Sequence, residues 1–180
     1  MILGHSELTK LIKSHRLITG LSKREKENPE GCVFDLQLDK LFKLEGTAFI
    51  GLEERETPDV VEVASYDPSK ITAHVIKAGE YYLTKTIEEV NLPINIAALF
   101  KPRTTTFRSG LIVRTGLANP GYKGPLYFGL YNAGKVPVTI ELGARYASVC
   151  FLEVKGEAVH AYRGQWQGGR DTTKGREKQI

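Results

Sequence analysis

The residues best suited to chemistry are concentrated in the segment 101–124, KPRTTTFRSGLIVRTGLANPGYKG. Its first part combines the guanidinium groups of Arg103 and Arg108 with the hydroxyls of 104–106. Guanidinium, hydroxyl and backbone N–H groups are donors that hold phosphate oxygens. Its second part, 116–124, is rich in glycine, and this composition predicts a hairpin with open backbone edges and one aromatic face. We therefore expect a phosphate-binding turn joined to a pocket that suits a planar base and its sugar.

The elements that must position this segment are mostly strands. Short apolar or alternating runs separated by Gly, Pro and Asn turns predict a mainly β chain, folded as a sandwich or barrel. The clearest runs are 32–38, 48–50, 60–63, 81–84, 87–92, 94–100, 126–131, 136–142 and 146–154. One amphipathic helix is predicted at about 6–14, with Ser6 as its N-cap. The charged residues 20–31 are expected to form a solvated linker.

Composition places the chain in a broad class. A chain of 180 residues with 41% hydrophobic and 26% charged residues is typical of one soluble domain. The formal net charge of +4 favours acidic ligands, but the basic residues are spread among nearly as many acids, so no nucleic-acid partner is expected. No apolar run reaches the roughly 20 residues of a membrane span, and the N-terminus lacks the apolar core of a secretory signal. We expect a cytoplasmic protein with no membrane partner, in which Cys32 and Cys150 are reduced packing residues.

The C-terminal segment differs from the rest of the chain. Residues 162–180 are rich in Gly, Gln, Lys and Arg and poor in aliphatic residues, which is typical of a flexible or clamped tail. We therefore divide the chain into a domain at 1–161 and a tail at 162–180. Trp166, which lies between glutamines and glycines, is unlike a core residue. Two interpretations of this tryptophan stay open: it covers a ligand, or it covers a subunit surface.

Several motifs, taken in order, resemble the superfamily of trimeric dCTP deaminases and dUTP diphosphatases. They are GCVFDL (31–36), AGEYYL and TIEEVNLP (within 78–93), PRTTTFRSGL (102–111), GLANPGYKG (116–124), LYNAGKVP (130–137), GARYA (143–147) and QWQG (165–168). The similarity spans nearly the whole chain, and the layout is closest to that of dCTP deaminases. It implies a dUTPase-like β-barrel or sandwich with a short N-terminal helix and a flexible tail that closes over a deoxynucleoside triphosphate. It also implies Mg²⁺ carried by the triphosphate, with no direct protein ligand, and a homotrimer with shared active sites.

The resemblance further implies roles for single residues. Phosphate contacts fall to Arg103, Thr104, Thr105, Arg108 and Gln167. Contacts to base and sugar fall to Gly116, Leu117, Ala118, Asn119, Tyr122 and Trp166, with the Tyr122 ring against the deoxyribose. Asp35 lies in the motif near the metal–triphosphate and is a candidate either to activate water or to hold the water shell of the metal. For Arg145, two interpretations stay open: a cation facing a neighbouring subunit or the phosphates, or an exposed strand charge.

Two positions depart from the superfamily pattern at residues that its chemistry needs. Where the deaminases carry a catalytic Glu, this chain has Gly129, which has no side chain to shuttle a proton. Where the diphosphatases carry an Asp in the hairpin, this chain has Asn119. The amide of Asn119 accepts hydrogen bonds but is not a base near neutral pH. Neither of the two standard reactions therefore has its usual carboxylate.

Two hypotheses follow from this comparison. In the first, which we favour, the chain is an enzyme of pyrimidine deoxynucleotide metabolism that deaminates dCTP or releases pyrophosphate from dUTP. It would use a rearranged acid–base set, with Asp35 and the weaker candidate Asn119 as its catalytic residues. In the second hypothesis, the chain is a catalytically inactive nucleotide-binding or regulatory relative, because both superfamily carboxylates are absent.

Overall fold

The alternation of apolar and polar residues appears as strands in the computed structural model, which describes residues 1–156 and 160–179. Within these residues the helices are α1 (His5–His15), α2 (Lys23–Glu27) and α3 (Thr104–Arg108). The strands are β1 (Ile18–Thr19), β2 (Val33–Glu45), β3 (Phe49–Ile50), β4 (Glu54–Glu56), β5 (Asp59–Ser65), β6 (Ala73–Ile76), β7 (Tyr81–Asn91), β8 (Ile96–Pro102), β9 (Leu111–Arg114), β10 (Leu117–Ala118), β11 (Lys123–Asn132), β12 (Val138–Glu141), β13 (Arg145–Glu153) and β14 (Glu177–Lys178). The prediction of a mainly β fold with a short N-terminal helix is confirmed.

One antiparallel sheet holds most of the core. Its order is β10-β8-β13-β2-β7-β11-β9, with β1 added to β7 and β5 added to β2. On β2 the side chains of Phe34, Leu36 and Leu38 are buried, and Asp35 and Gln37 alternate with them, because successive strand residues face opposite sides. Strand β10 pairs with β8, whereas β11 pairs with β7 and β9. The hairpin at 116–124 therefore connects two distant parts of the curled sheet.

Helix α1 covers the core as the periodicity predicts. Leu8 is fully buried, and Leu11 and Ile12 pack against the core cluster. The prediction of Ser6 as the N-cap is wrong, since the cap is Gly4 and no side chain caps the first turn. None of the helices in the described part of the chain is long and apolar enough to cross a membrane.

The charged segment 20–31 is not the solvated linker that its composition predicts. Residues Lys23–Glu27 form α2, whose N-cap Ser22 accepts a hydrogen bond from the backbone N–H of Glu25. Ser22 and Glu25 have the S-x-x-E spacing of a capping box, a signal that the charge density of the segment hides. The side chain of Glu25 is buried and accepts a hydrogen bond from the backbone N–H of Asp35 at 3.0 Å. This segment is therefore part of the folded body.

The C-terminal tail is held against the domain. Thr57 and Thr173 exchange two backbone-to-hydroxyl hydrogen bonds of 3.0 Å, and β14 pairs with β4. The hydroxyl of Thr172 donates to the carbonyl of Pro58 at 3.0 Å. Composition allows either a flexible or a clamped tail, and this structure shows a tail fixed by hydrogen bonds over most of its described length. Residues 157–159 and Ile180, which fall within the predicted domain and tail, lie outside the described residues.

One carboxyl group lies inside the core, on β7. Glu88 is fully buried, and its Oε2 accepts a hydrogen bond from the backbone N–H of Gln37 at 2.8 Å. Its Oε1 has no hydrogen-bond partner among the described residues. Burial raises the pKa of the Glu88 carboxyl to about 8, and the negative charges of Glu25 and Asp35 act in the same direction. Glu88 is therefore protonated in the folded protein at neutral pH.

This buried acid makes a prediction about pH. Between about pH 5 and pH 8 the unfolded chain has released the Glu88 proton and the folded chain has kept it, so the free energy of unfolding falls as pH rises. The loss is about 1.4 kcal/mol for each pH unit in that window. Glu88→Gln should flatten the profile measured by urea unfolding, and Glu89→Gln, at an exposed neighbouring position, should leave it unchanged. Equal pH slopes for the Glu88→Gln variant and the wild type would contradict this assignment.

Candidate functional site

A cavity of about 480 Å³ lies between the hairpin, the sheet and the tail. All six residues predicted to contact base and sugar line it, namely Gly116, Leu117, Ala118, Asn119, Tyr122 and Trp166. The rest of its wall is formed by Leu44, Thr57, Pro58, Val60, Leu83, Phe100, Leu126, Tyr127, Phe128, Tyr162, Arg170 and Asp171. The volume falls within the range of small-molecule pockets. Mainly apolar walls with a few polar groups are also typical of such pockets. The structure therefore brings the whole predicted base-and-sugar set together.

The hairpin is held in shape by its own turn and by the segment before β8. The backbone N–H of Tyr122 donates to the carbonyl of Asn119 at 3.1 Å. Leu92 then exchanges backbone hydrogen bonds with Gly121 and Tyr122, at 3.0 and 2.9 Å. The Tyr122 hydroxyl donates to the carbonyl of Pro125 at 2.6 Å, so the ring has a fixed orientation. Burial raises the pKa of Tyr122 to about 12, and the residue stays a neutral phenol with one aromatic surface on the cavity.

The tail closes this hairpin through the amide of Gln167. The Nε2 of Gln167 donates to the carbonyl of Gly121 at 2.8 Å, and its Oε1 accepts from the backbone N–H of Lys123 at 2.9 Å. The backbone N–H of Gly168 adds a bond of 3.0 Å to the carbonyl of Lys123. The sequence predicts a phosphate contact for Gln167. In this structure the side chain instead bonds to the hairpin, and its geometry supports a role in positioning the tail.

Trp166 is fixed over the cavity by charged neighbours. The Cζ of Arg55 lies 4.8 Å from the centre of the indole ring, and the Cζ of Arg170 lies 6.0 Å from it. Both arginines pair with Glu177 of β14, at 3.2 and 2.8 Å. These contacts are within one chain, and they fix Trp166 at the wall of the cavity. Of the two interpretations left open above, this placement favours a cover over a ligand.

A second group of predicted residues lies at the start of α3. The carboxylate of Asp35 pairs with Arg103 at 2.8 Å and with Arg145 at 3.1 Å, and it accepts a hydrogen bond from Ser148 at 2.9 Å. Glu25 lies behind this arginine pair, with one oxygen 3.5 Å from Arg145. By the resemblance described above, Asp35 is a catalytic candidate. Because its oxygens are taken up by two arginines and a hydroxyl, the geometry supports a positioning role for Asp35.

The phosphate and base-and-sugar sets are separate within one chain. Thr104, Thr105 and Arg108 are exposed on α3, and Arg103 is half-buried beside Asp35. None of these four residues belongs to the cavity wall. The segment predicted as a turn is a short helix, whose buried Thr106 donates to the carbonyl of Tyr146 at 2.8 Å. No group of three or more His, Cys, Asp or Glu side chains in the described ranges is arranged to hold a metal ion.

Sequence reasoning missed two charged residues of the cavity wall. Arg170 and Asp171 belong to the tail, where composition alone predicts no fixed position. Asp171 is the only acid among the described residues that line the cavity. The nearby pattern of Thr172 and Thr173 gives no recognised signal, since their role depends on contacts with residues 57–58, far away in sequence.

The space above Gly129 is filled from the adjacent strand. A Cβ atom at this position would overlap the hydroxyl of Tyr81, and it would lie 2.8 Å from Cζ of the same ring and 3.2 Å from Cβ of Arg114. Tyr81 lies diagonally across from Gly129, because Gly129 pairs with Leu83 and Tyr131 pairs with Tyr81. An aromatic ring therefore occupies the place where deaminases of this superfamily, by the resemblance above, carry their glutamate.

This packing predicts a coupling between the two positions. Gly129→Ala should destabilise the protein by about 1 kcal/mol, the low end for overpacking, because the added methyl forces the partly exposed Tyr81 ring to shift. In a Tyr81→Ala background the same change should cost little, and the difference appears in a double-mutant cycle of urea unfolding. Gly116→Ala is the matched control, since a Cβ there meets no atom within 4 Å. An equal cost of Gly129→Ala in both backgrounds would show that Tyr81 does not fill this space.

Comparison with known proteins places the chain in a family. Residues 2–154 match the family model described as dCTP deaminase-like. The deoxyuridine 5′-triphosphate nucleotidohydrolase of Methanocaldococcus jannaschii is 30% identical over 148 residues, which cover 78% of this chain and 90% of that protein. The dCTP deaminase, dUMP-forming, of Dictyoglomus turgidum is 28% identical over 167 residues, covering 90% of this chain and 85% of that protein. The dCTP deaminase of Pyrococcus furiosus is 36% identical over 94 residues, covering 52% of this chain and 60% of that protein.

A solved structure shares the fold. The crystal structure of 2′-deoxycytidine 5′-triphosphate deaminase from Agrobacterium tumefaciens superposes with a TM-score of 0.64 at 18% sequence identity, over 83% of this chain and 47% of that chain. This similarity concerns the fold alone. The family model covers most of the sequence, and its span includes the predicted phosphate segment and the hairpin. The resemblance inferred from the motifs is confirmed, and the chain belongs to the dCTP deaminase-like family.

Proposed function

We propose that this chain binds a pyrimidine deoxynucleoside triphosphate and acts in deoxynucleotide metabolism. The observation that carries this proposal is the convergence of the hairpin and the tail on one cavity, with Asn119, Tyr122 and Trp166 on its wall. An aromatic face, an amide and open backbone groups are the partners that a base and its sugar require. The relatives named above act on deoxynucleoside triphosphates, as their names state, which supports the same ligand class here.

A triphosphate requires cations to balance its negative charge, and the hairpin residues that line this cavity include none. Arg103 and Arg145 are held by Asp35, and Arg108 is exposed on α3, all outside the cavity wall. We propose that the arginines and threonines of a second copy complete the site, in a homotrimer whose active sites are shared between subunits. A closed ring with one repeated contact gives each cavity the same neighbour.

We propose that Mg²⁺ enters the site bound to the triphosphate. Mg²⁺ keeps several waters and is often bound through substrate phosphates, so a dedicated cage of protein ligands is not required. The described residues contain no such cage. When bound, the ion would neutralise phosphate charge, and Arg108 of α3 together with Arg103, just before the helix, would contact the remaining phosphate oxygens. We place this activity in the cytoplasm and assign it no nucleic-acid partner.

Of the two family reactions, the geometry favours pyrophosphate release from dUTP over deamination of dCTP. Deamination by the usual route needs a carboxyl group at 129, and Tyr81 occupies that space. Phosphate chemistry depends mainly on positioning and electrostatic stabilisation, which Arg103 and Arg108 of a neighbouring copy would provide. The alternative function is nucleotide binding without turnover, and the observation that favours it is the amide of Asn119 on the cavity wall in place of a carboxylate.

An assay of both products separates these functions. With Mg²⁺, we expect pyrophosphate from dUTP and no ammonia from dCTP. Arg108→Ala should weaken nucleotide binding by at least ~10-fold, because it removes a charge-assisted contact to phosphate. Lys13→Ala, an exposed cation on α1, is the matched control and should behave as the wild type.

The remaining outcomes are also informative. Tight binding of dUTP or dCTP by calorimetry, with neither product formed, would establish the binding protein and exclude the enzyme. Ammonia release from dCTP would exclude our preference for phosphate chemistry. Absence of binding to either nucleotide would refute the proposed function altogether.

A further inference from the structure

The tail contributes a carboxylate to the cavity, and no reaction or contact considered so far uses it. Asp171 is half-buried and lines the cavity together with Asn119 of the hairpin. Among the described lining residues it is the only acid. The family resemblance assigned no role to this position, so its placement is a result of the structure alone.

The backbone around Asp171 is fixed. The hydroxyl of Thr172 donates to the carbonyl of Pro58 at 3.0 Å, and Thr173 exchanges two hydrogen bonds with Thr57. Thr172 and Thr173 are both 5% exposed. Thr57 and Pro58 themselves belong to the cavity wall. The carboxylate is therefore presented from a buried, hydrogen-bonded segment.

Nearby cations do not neutralise this carboxylate. The adjacent Arg170 uses its guanidinium on Glu177, at 2.8 Å, and on the carbonyl of Thr173. No hydrogen bond or ion pair reaches the side chain of Asp171 from residues 1–156 or 160–179. The charge of Asp171 affects the pKa of the Tyr127 phenol, which also belongs to the cavity wall. Burial raises the pKa of Tyr127 to about 12, and the charge of Asp171 adds to that rise.

The chemistry of an unpaired carboxylate in such a place is restricted. An ionised carboxylate only accepts hydrogen bonds. In a cavity whose walls include Leu44, Val60 and Leu83, a carboxylate interacts with a donor more strongly than it does in water. It also repels phosphate, so it favours a ligand that places its phosphates away from the tail and a donor group near it.

We propose that Asp171 is a specificity-determining residue that accepts a hydrogen bond from the bound nucleoside. The donor is an O–H of the sugar or an N–H of the base, and both present the same chemistry to a carboxylate. The proposal rests on the proposed function, because it assumes a nucleotide in this cavity. In this proposal the tail supplies the negatively charged hydrogen-bond acceptor that the hairpin lacks, since the hairpin has the neutral Asn119.

Calorimetry with matched variants and ligands tests this assignment. The proteins are the wild type, Asp171→Asn, and the control Asp59→Asn, which removes an exposed charge next to Pro58. The ligands are dUTP, dCTP and their 3′-deoxy analogues, each with Mg²⁺. We expect Asp171→Asn to weaken binding of at least one natural nucleotide by about 10–100-fold, the range of a hydrogen bond to a charged group. Asp59→Asn should bind as the wild type.

The analogues identify the donor. If the 3′-hydroxyl is the donor, the analogues bind the wild type and Asp171→Asn equally, and the loss is confined to the natural nucleotides. If the base is the donor, the loss persists in the analogues. Emission from Trp166, the single tryptophan, should match between the ligand-free proteins and so show that the tail stays in place.

Three results are negative, and they differ in meaning. If the wild type binds nucleotide and Asp171→Asn binds every ligand equally well, the inference about Asp171 is wrong and the proposed function stands. Asp171→Asn could also weaken the binding of all ligands by displacing the tail, which Trp166 emission would reveal. In that case Asp171→Glu is the deciding variant, since it keeps the charge. An Asp171→Glu variant whose tail is closed but whose binding is as weak as that of Asp171→Asn overturns the inference. If the wild type binds none of the nucleotides, the proposed function itself fails.

Discussion

The cavity depends on a backbone contact between hairpin and tail that leaves no room for side chains. A Cβ at Gly124 would lie 2.8 Å from the carbonyl carbon of Gly168, and one at Gly121 would lie 2.9 Å from the backbone nitrogen of Tyr162. Both glycines also have positive φ, +135° and +87°, which L-residues with side chains rarely adopt. Because the two backbones meet so closely, the amide of Gln167 reaches both sides of the turn. This contact places Trp166 over the cavity.

Charge is distributed unevenly around this contact. Asp35 is taken up by the arginine pair Arg103 and Arg145, with buried Glu25 behind it, so these acids fix the directions of cations. Within the described part of the cavity wall, Asp171 is the acid left for a ligand. Charges that are removed from water are retained where they are paired with another charge or where they serve function. In this chain the paired acid, Asp35, lies beside α3, and the unpaired acid, Asp171, lies in the tail. The arginines beside α3 and the free acceptor of the tail therefore lie on different surfaces, and Arg170, the cation on the cavity wall, is paired with Glu177.

Sequence patterns predicted the local features of the fold and of the site. Alternation located the strands around the core, and the order of motifs located the hairpin whose residues 116–119 line the cavity. The features that were missed depend on contacts distant in sequence. Glu25 is buried because Asp35 and Arg145 meet it, and Tyr81 matters because β7 places it diagonally over Gly129. Asp171 follows from threonine contacts across more than half of the chain. Periodicity and composition carry no information about such pairs.

The central claim is that the cavity between the hairpin and the tail binds the nucleoside while the arginines of a neighbouring copy hold the phosphates. A crystal structure with a non-hydrolysable deoxyuridine triphosphate analogue and Mg²⁺ tests it most directly. The account predicts base and sugar between Asn119, Tyr122 and Trp166, and phosphates against Arg103 and Arg108 of an adjacent subunit. A nucleotide bound outside this cavity, or phosphates held entirely by the same chain, would contradict it.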